Sequence, residues 1–553
     1  MRRIWAVLLV VSGVLALASV ADARVLRVGS YHGVRGQYRT IQAAVDAARP
    51  GDWILIGPGD YKTRASSIHA PRGHRAFPAG VVITTRDLHI RGMNRNRVIV
   101  DGTRPHSAVC SRRASAQNFG LRTGAAAHGY EGWAATADRR SGENGLLVYR
   151  ANHVSIENLT VCNFLGGARQ AGNEVWWNGY PENGRPGGHG FRGAYLTATS
   201  TYLKGKSAAG EFSAAQYGLF TSNWTGGTWN QVYASNFNDS GFYIGACKQY
   251  CDQTVDHAHG QYNALGYSGS NSGGRLVVER SEFDHNEDGF DTNSQNGDEP
   301  SPQNGACPRN GISRITHTHS CWVFIHNYVH DNNNPNVPAA GSAAAGPVGT
   351  GMSVSGGRND TVMDNRFVRN DAWGVIFVPY PDNGPPCTGG TSNFPLLGHG
   401  SCLFDEWGDA LLDNRFAHNG GYGNPTNGDF AQVNFENGRP TNCYSGNTQV
   451  GGGPIQPASA AAMQTSHPSC NGAPVAAGSS DPGFTAQLLC DSQVQLVPGV
   501  SSCPAGTTYP RVTKIVMHPL PKHLKTMPNP CKGVPGNAWC GHRGRHHRHQ
   551  GRH

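Results

Sequence analysis

A glycine followed by an apolar residue recurs down the middle of this chain, at Gly218-Leu219, Gly241-Phe242, Gly266-Tyr267, Gly289-Phe290, Gly351-Met352 and Gly374-Val375. The steps from 218 to 241, 266 to 289 and 351 to 374 are each 23 residues, and 241 to 266 is 25. The 62-residue gap between 289 and 351 leaves room for one or two rungs that carry loops. A fixed period of this length signals stacked repeats. A second phrase has an apolar residue, Asn or Ser three later, an apolar or aromatic residue at five and Asn at eight. Val278/Ser281/Phe283/Asn286, Phe324/Asn327/Val329/Asn332, Val362/Asn365/Phe367/Asn370 and Leu411/Asn414/Phe416/Asn419 all follow it.

These apolar positions are too closely spaced, and too often β-branched or aromatic, for helices, and polar residues alternate with them. Each unit therefore holds two or three short strands. One unit cannot bury its apolar side alone, whereas stacking at the strand spacing of ~4.8 Å gives a continuous core. An Asn repeated at one corner of every coil can bond to the backbone and to the next Asn, which predicts a structural ladder rather than catalytic asparagines. Ahead of the repeats, Thr40 is placed to cap a short helix over 41–48 that ends at Arg49-Pro50-Gly51-Asp52. Strands are predicted at 53–56, 81–84, 88–91 and 98–100. The helix would cover the open end of the first coil. Between Phe164 and Gly218 the repeat is interrupted by a stretch containing Trp176, Trp177, Tyr180, His189 and Arg192, which predicts an insertion looped out on one face.

Composition adds the compartment. Residues 1–23 carry two arginines, an apolar run from Ile4 to Val20 and Ala21-Asp22-Ala23, the pattern of a secretory signal peptide. No later segment is apolar enough to span a bilayer, so the mature chain is expected to be secreted and extracellular, without a transmembrane segment. All 14 cysteines lie beyond residue 23, an even number that predicts disulfides. Cys247 and Cys251 also have the spacing of half a metal site, but no matching pair follows. Cys443, Cys470, Cys490, Cys503, Cys531 and Cys540 fall where the repeat has stopped, which predicts a separately stapled extension over 441–540. Nine Lys and Arg after residue 510, with no acid among them, account for the whole formal charge of +9 and leave the rest of the chain neutral. The 541–553 tail holds five His and four Arg and is expected to be disordered. It suits an anionic wall polymer or a metal ion, or simply adds solubility. Nucleic acid is not expected as a partner.

The segment TIQAAVDAARPGDWILIGPGDY at 40–61, the phrase VSIENLTV at 154–161 and NRFVRN at 365–370 resemble right-handed parallel β-helix proteins of the pectin lyase-like superfamily, over roughly residues 38–440. The resemblance implies an all-β chain, a single-stranded right-handed parallel β-helix or solenoid over 24–440, with an N-terminal helical cap and a C-terminal disulfide-rich extension. That fold carries lyases, hydrolases, epimerases, esterases and non-catalytic surface proteins, so activity has to be read from a site.

In the Gly-apolar strand the residue after Gly points inward, so the Gly and the residues two and four beyond it are expected to face out. One outward column is then Phe220, Tyr243, Ser268, Asp291, Ser353 and Ile376. Ser222, Gly245, Ser270, Asn293, Ser355 and Val378 stand beside it. A linear glycan lying along the axis would meet a rung every ~5 Å, about one sugar unit. Tyr243, Ser268, Asn293 and Ser353 are the expected substrate contacts, with Trp176 and Trp177 as platforms for sugar rings.

The densest chemical cluster spans 284–293. Asn286-x-Asp288-Gly289-x-Asp291 is similar to the N-x-D-G-x-D phrase of the superfamily's polygalacturonases, and that resemblance makes Asp288 an acid/base carboxylate with Asp291 beside it in the groove. Two such carboxylates can protonate a leaving oxygen and activate water if their pKa values are pushed apart. The adjacent Asp-Asp and the Arg-x-Lys of the polygalacturonases are missing around Gly188-His189-Gly190 and Gly398-His399-Gly400, which leaves the reaction type open. Lyase or epimerase chemistry needs a base and a cation that neutralises a carboxylate. Position seven of the Asn phrase supplies Tyr262, His285, Asp331, Arg369 and His418 at one corner, with His285 as base and Arg369 as neutraliser. No metal ligand set is assigned, although Asp284, Asp288 and Asp331 are available to calcium. The resulting expectation is a carbohydrate-active protein of lyase, hydrolase or epimerase type, acting on a polysaccharide or cell-envelope glycan. The alternative is a non-catalytic adhesion or glycan-binding β-helix. The sugar, the disulfide pairing and the oligomeric state stay open.

Overall fold

The computed structural model describes residues 23–63, 77–120, 142–167, 172–180, 186–204, 214–247, 250–296, 302–383, 387–395, 397–470, 478–494 and 503–541. Residues 1–22 of the signal peptide expected over 1–23, and the tail beyond Gly541, lie outside the described residues.

Strands of successive coils pair in parallel, each with the strand one coil on. Phe220 pairs with Tyr243, Tyr243 with Ser268, Ser268 with Asp291, Asp291 with Ser353 and Ser353 with Ile376. This column belongs to an 11-stranded sheet, and the remaining walls of the coil form a 19-stranded sheet. In the latter, the nine-residue strands Val154–Cys162, Phe191–Thr199, Gly227–Ser235 and Gln253–Gln261 bend through one left-handed residue each, Asn158, Tyr195, Gln231 and His257. The architecture is the parallel β-helix that the register predicts. Leu219, Phe242, Tyr267, Phe290, Met352 and Val375 all lie in its core, together with Phe283, Phe367 and Phe416.

The two recurrent residues have separate physical reasons. A Cβ on Gly266 would lie 2.3 Å from Gly289 O and 2.9 Å from Asn286 Nδ2, so the glycine marks a corner packed against the next coil and not the outward position expected of it. The asparagines form two ladders. In one, Asn263, Asn286, Asn332 and Asn370 each donate to the carboxamide oxygen of the next Asn at 2.9–3.3 Å, ending at Asn419. In the other, Asn327, Asn365 and Asn414 do the same up to Asn447. Every ladder oxygen also accepts a backbone N–H, as Asn286 does from Asn263 N at 2.9 Å. Buried amides are thereby paired coil after coil.

At the N-terminal end, helix Ile41–Ala47 is capped by Thr40, whose Oγ1 accepts from Ala43 N at 3.3 Å, and it lays Ile41, Ala44 and Val45 on the first coil. The 62-residue gap contains no extra rung of the 11-stranded sheet, because Asp291 pairs directly with Ser353 and the added residues are loops. The stretch from 164 to 218 is not a looped-out insertion. Asn173–Asn178 and Phe191–Thr199 are regular rungs within it. All seven disulfides join cysteines that are consecutive along the chain: 110–162, 247–251, 307–321, 387–402, 443–470, 490–503 and 531–540. Cys247 and Cys251 are thus bonded to each other and bind no metal.

The C-terminal region is not a separate unit either. After helix Phe484–Asp491 the chain turns back as an extended, proline-rich strap that runs from the last coils to the first. Asn336 accepts from Thr513 N and Lys514 N, both at 2.9 Å. Asn236 exchanges both amide bonds with His518, at 3.0 Å each, and Asn96 does so with Leu524 at 2.7 and 3.0 Å. Met527 N bonds Asn158 at 2.9 Å, and Trp539 Nε1 reaches Val34 O at 3.0 Å. Carboxamides on the coil thus stand in for a neighbouring strand's backbone.

Candidate active site

The outward face of the 11-stranded sheet is roofed. Loop residues Ser342 to Pro347, Tyr380, Phe394 and Leu403, together with Leu488 and Leu489 of the C-terminal helix, close over it and leave a cavity of about 950 Å³. Such a volume suits a ligand of several rings. The floor changes character along the axis. Trp176, Phe220 and Tyr243 make one end aromatic, Ile376 and Val378 make the other apolar, and Ser268, Ser270, Asp288, Asp291, Asn293, Ser353 and Ser355 form the middle. The predicted contacts Tyr243, Ser268, Asn293, Ser353 and Trp176 therefore share one wall. Trp176 stacks on Phe220 of the next rung at 5.0 Å and donates from Nε1 to Ser222 Oγ at 2.9 Å. Trp177 does not share that wall. Successive residues of a strand point to opposite sides, and Trp177 is fully buried in the solenoid core, so it has no surface for a sugar ring.

At the centre, Ser353 Oγ lies 2.7 Å from Asp288 Oδ2 and 2.9 Å from Asp291 Oδ1. A hydroxyl has one hydrogen to give. If it serves Asp291, the second contact is satisfied only when Asp288 is protonated and donates to Ser353. The environment favours that assignment. Burial, followed by the charge of Asp291, pushes Asp288 well above the usual carboxylate range. Burial raises Asp291 as well, but hydrogen bonds from Asn293, Ser353 and Ser355 oppose the rise. Of the two, Asp288 is the one pushed further toward the neutral acid. Asn293 donates to Asp291 while its own Oδ1 is buried without a protein partner, as are Oδ1 of Asn173 and Asn223 on the same cavity lining. Three unpaired acceptors suit a ligand rich in hydroxyl donors.

His285 and Arg369 stand elsewhere. Both occupy left-handed corner positions, with φ of 55° and 52°, that turn their side chains away from this sheet. His285 contacts Asp284, and Arg369 donates from Nε to Asp331 at 2.7 Å. Asp284 and Asp331 lie on that same side, so they share no calcium site with Asp288. The period placed these residues in one column correctly but could not say which wall the column faced.

Asp239 was not foreseen. It also lines the cavity, and burial pushes it up to about 7. Its sequence signal was present, an acid two residues before Gly241, as Glu287 stands before Gly289. A carboxyl whose folded pKa is raised from 3.8 contributes stability that is complete below about 4 and is lost as pH rises through about 7. Asp239→Asn is therefore expected to flatten the fall in melting temperature between pH 4 and 7, read by paired thermal melts across that range. Identical profiles for the two proteins would contradict the assignment. No Lys, Arg or His is among the described residues that line the cavity.

No protein-family model matches the chain, and no curated protein matches it. Solved structures are similar in architecture. The A-module of the Azotobacter vinelandii mannuronan C-5 epimerase AlgE4 aligns at a TM-score of 0.40 and 12% identity, over 75% of this chain and 87% of that one. A pectate lyase aligns at 0.38 and 13%, over 78% and 76%. A pectin methylesterase from Erwinia chrysanthemi aligns at 0.28 and 11%, over 72% and 90%. Its own strand pairings make the chain a parallel β-helix.

Proposed function

We propose that this protein is a secreted carbohydrate-active enzyme of glycoside hydrolase type, which takes a short glycan into the roofed groove. Asp288 protonates the leaving glycosidic oxygen, and Asp291 attacks the anomeric carbon or activates water. The observation that carries this reading is the Ser353 hydroxyl held between two buried carboxylates. Their oxygens are no further apart than two hydrogen bonds laid end to end, which is closer to the spacing of about 5–5.5 Å used by retaining glycosidases than to the about 6.5–9.5 Å of inverting ones. The absence of a cation among the described lining residues favours a neutral glycan over a uronate, since lyase and epimerase chemistry has to neutralise the sugar's carboxylate. Seven disulfides fit an oxidising, extracellular location. Among the described residues no helix is long and apolar enough to cross a membrane.

The test is incubation of the mature protein with neutral and uronate-containing glycans. New reducing ends from a neutral glycan, without the absorbance of unsaturated uronates, are the expected result. Unsaturated products would overturn the hydrolytic reading. Saturable binding with no turnover would leave the non-catalytic, glycan-binding alternative.

A further inference from the structure

On a coil wall away from the cavity, strands Gln253–Gln261, Glu282–Asp284 and Tyr328–His330 lie side by side. Their register sets His259 beside Glu282 and Asp284 beside His330. Glu282 and Asp284 are two apart on one strand and share a face, so each carboxylate has a histidine next to it on an adjoining coil. One ligand atom from each of His259, Glu282 and Asp284 lies within 4.8 Å of the other two. His259 Nε2 is 2.5 Å from Asp284 Oδ1, and His330 Nε2 is 3.1 Å from Glu282 Oε1.

We propose that His259, Glu282 and Asp284, with His330 as the fourth ligand, form a site for a divalent transition-metal ion such as zinc. Each of the two histidine–carboxylate contacts places a hydrogen between a nitrogen and an oxygen, and a cation takes that position. The donor set decides the class of ion. Two imidazoles and two carboxylates suit zinc, copper or nickel, whereas calcium prefers six to eight oxygens. An outer layer holds the ligands in place. His330 Nδ1 is 2.7 Å from Asp331 Oδ2, and Asp331 is gripped by Arg369. Asp284 Oδ2 accepts from Gln261 Nε2 at 2.8 Å. Such partners fix which ring nitrogen is free for metal. The ion has a way in, because the His259 and Glu282 side chains are 30% and 45% exposed while Asp284 is 3% exposed. This gives Arg369 and Asp331 a positioning role outside the groove.

The site is tested on the full mature chain, stripped with chelator and titrated with zinc chloride by calorimetry. The five histidines of the 541–553 sequence add further imidazole donors, so the site is counted by difference. His259→Ala is expected to bind one zinc ion fewer than the parent and to show a smaller rise in melting temperature at saturating zinc. Glu282→Gln, at a half-exposed position where folding is safe, should weaken that one site at least about tenfold. Equal stoichiometry and affinity in the parent and both variants would overturn the proposal. Calcium chloride should give no heat that depends on either variant, and variant-sensitive calcium uptake equal to that of zinc would overturn the metal class.

Discussion

Asp288→Asn lowers turnover by about 10²–10⁴-fold, the range that a positioned acid supplies, while leaving the melting temperature essentially unchanged. The two halves of this expectation have one cause. Burial pushes Asp288 toward the neutral acid, and Asn is a neutral group of the same shape. Its amide can donate to Ser353 Oγ in place of the acid's proton, and its oxygen can still accept from Phe290 N, at 3.2 Å in the parent. What it cannot do is release a proton to a leaving oxygen. Initial rates on the glycan that gives new reducing ends, together with thermal melts, check both halves. Activity within tenfold of the parent would remove Asp288 from the reaction. A collapsed melting temperature would show that it was an ionised structural carboxylate.

The largest stability effect is expected at Arg95. This side chain is 3% exposed, and among the described residues it is held by hydroxyl and carbonyl oxygens, with no carboxylate partner. It donates to Thr197 Oγ1 at 2.7 Å, Gln231 O at 2.9 Å, Leu196 O and, on the strap, Lys525 O at 3.2 Å. Burial lowers its pKa to about 9, which reflects how few charges surround it. Truncation to Ala leaves several buried oxygens without donors. Because hydrogen bonds to charged groups contribute about 1.5–3 kcal/mol each, a loss on the order of 3–5 kcal/mol is expected from denaturant unfolding. Lysine should not rescue it, since a single ammonium cannot span acceptors that the planar guanidinium reaches in a fork. Hydrogen exchange at the Leu524 and Met527 amides should rise in parallel, because Arg95 fastens that stretch of strap. A loss below about 1 kcal/mol, with exchange unchanged, would show that the strap is held by other contacts.

The repeats were legible because the two residues that mark them recur at the same positions coil after coil. Glycine leaves no Cβ to strike the next coil, and asparagine both donates to and accepts from its neighbours in the ladder. The coil around Trp176 was not legible for the converse reason. In the strand Asn173–Asn178, Glu174 stands where the later rungs have glycine, and its buried carboxylate accepts from Phe164 N at 3.2 Å. The period disappears although the coil continues. At the site, the column from Tyr243 to Ser353 followed from strand alternation alone. The roof did not, because long-range closure by residues near 345, 394 and 488 leaves no local pattern. The strap escaped for a similar reason. Its partners Asn96, Asn158, Asn236 and Asn336 read as ordinary turn residues, and nothing in their spacing points to a segment hundreds of positions away.

Because Trp539 closes on Val34 and Lys525 on Arg95, the surface of the first coils is completed by residues 505 and 430 positions further along the chain. Neighbour-by-neighbour stacking can begin while the chain is still emerging, but those early coils stay unfinished until the strap arrives. Contacts of such sequence separation are slow to form. The first coils are therefore expected to become protease-resistant only after the strap has docked.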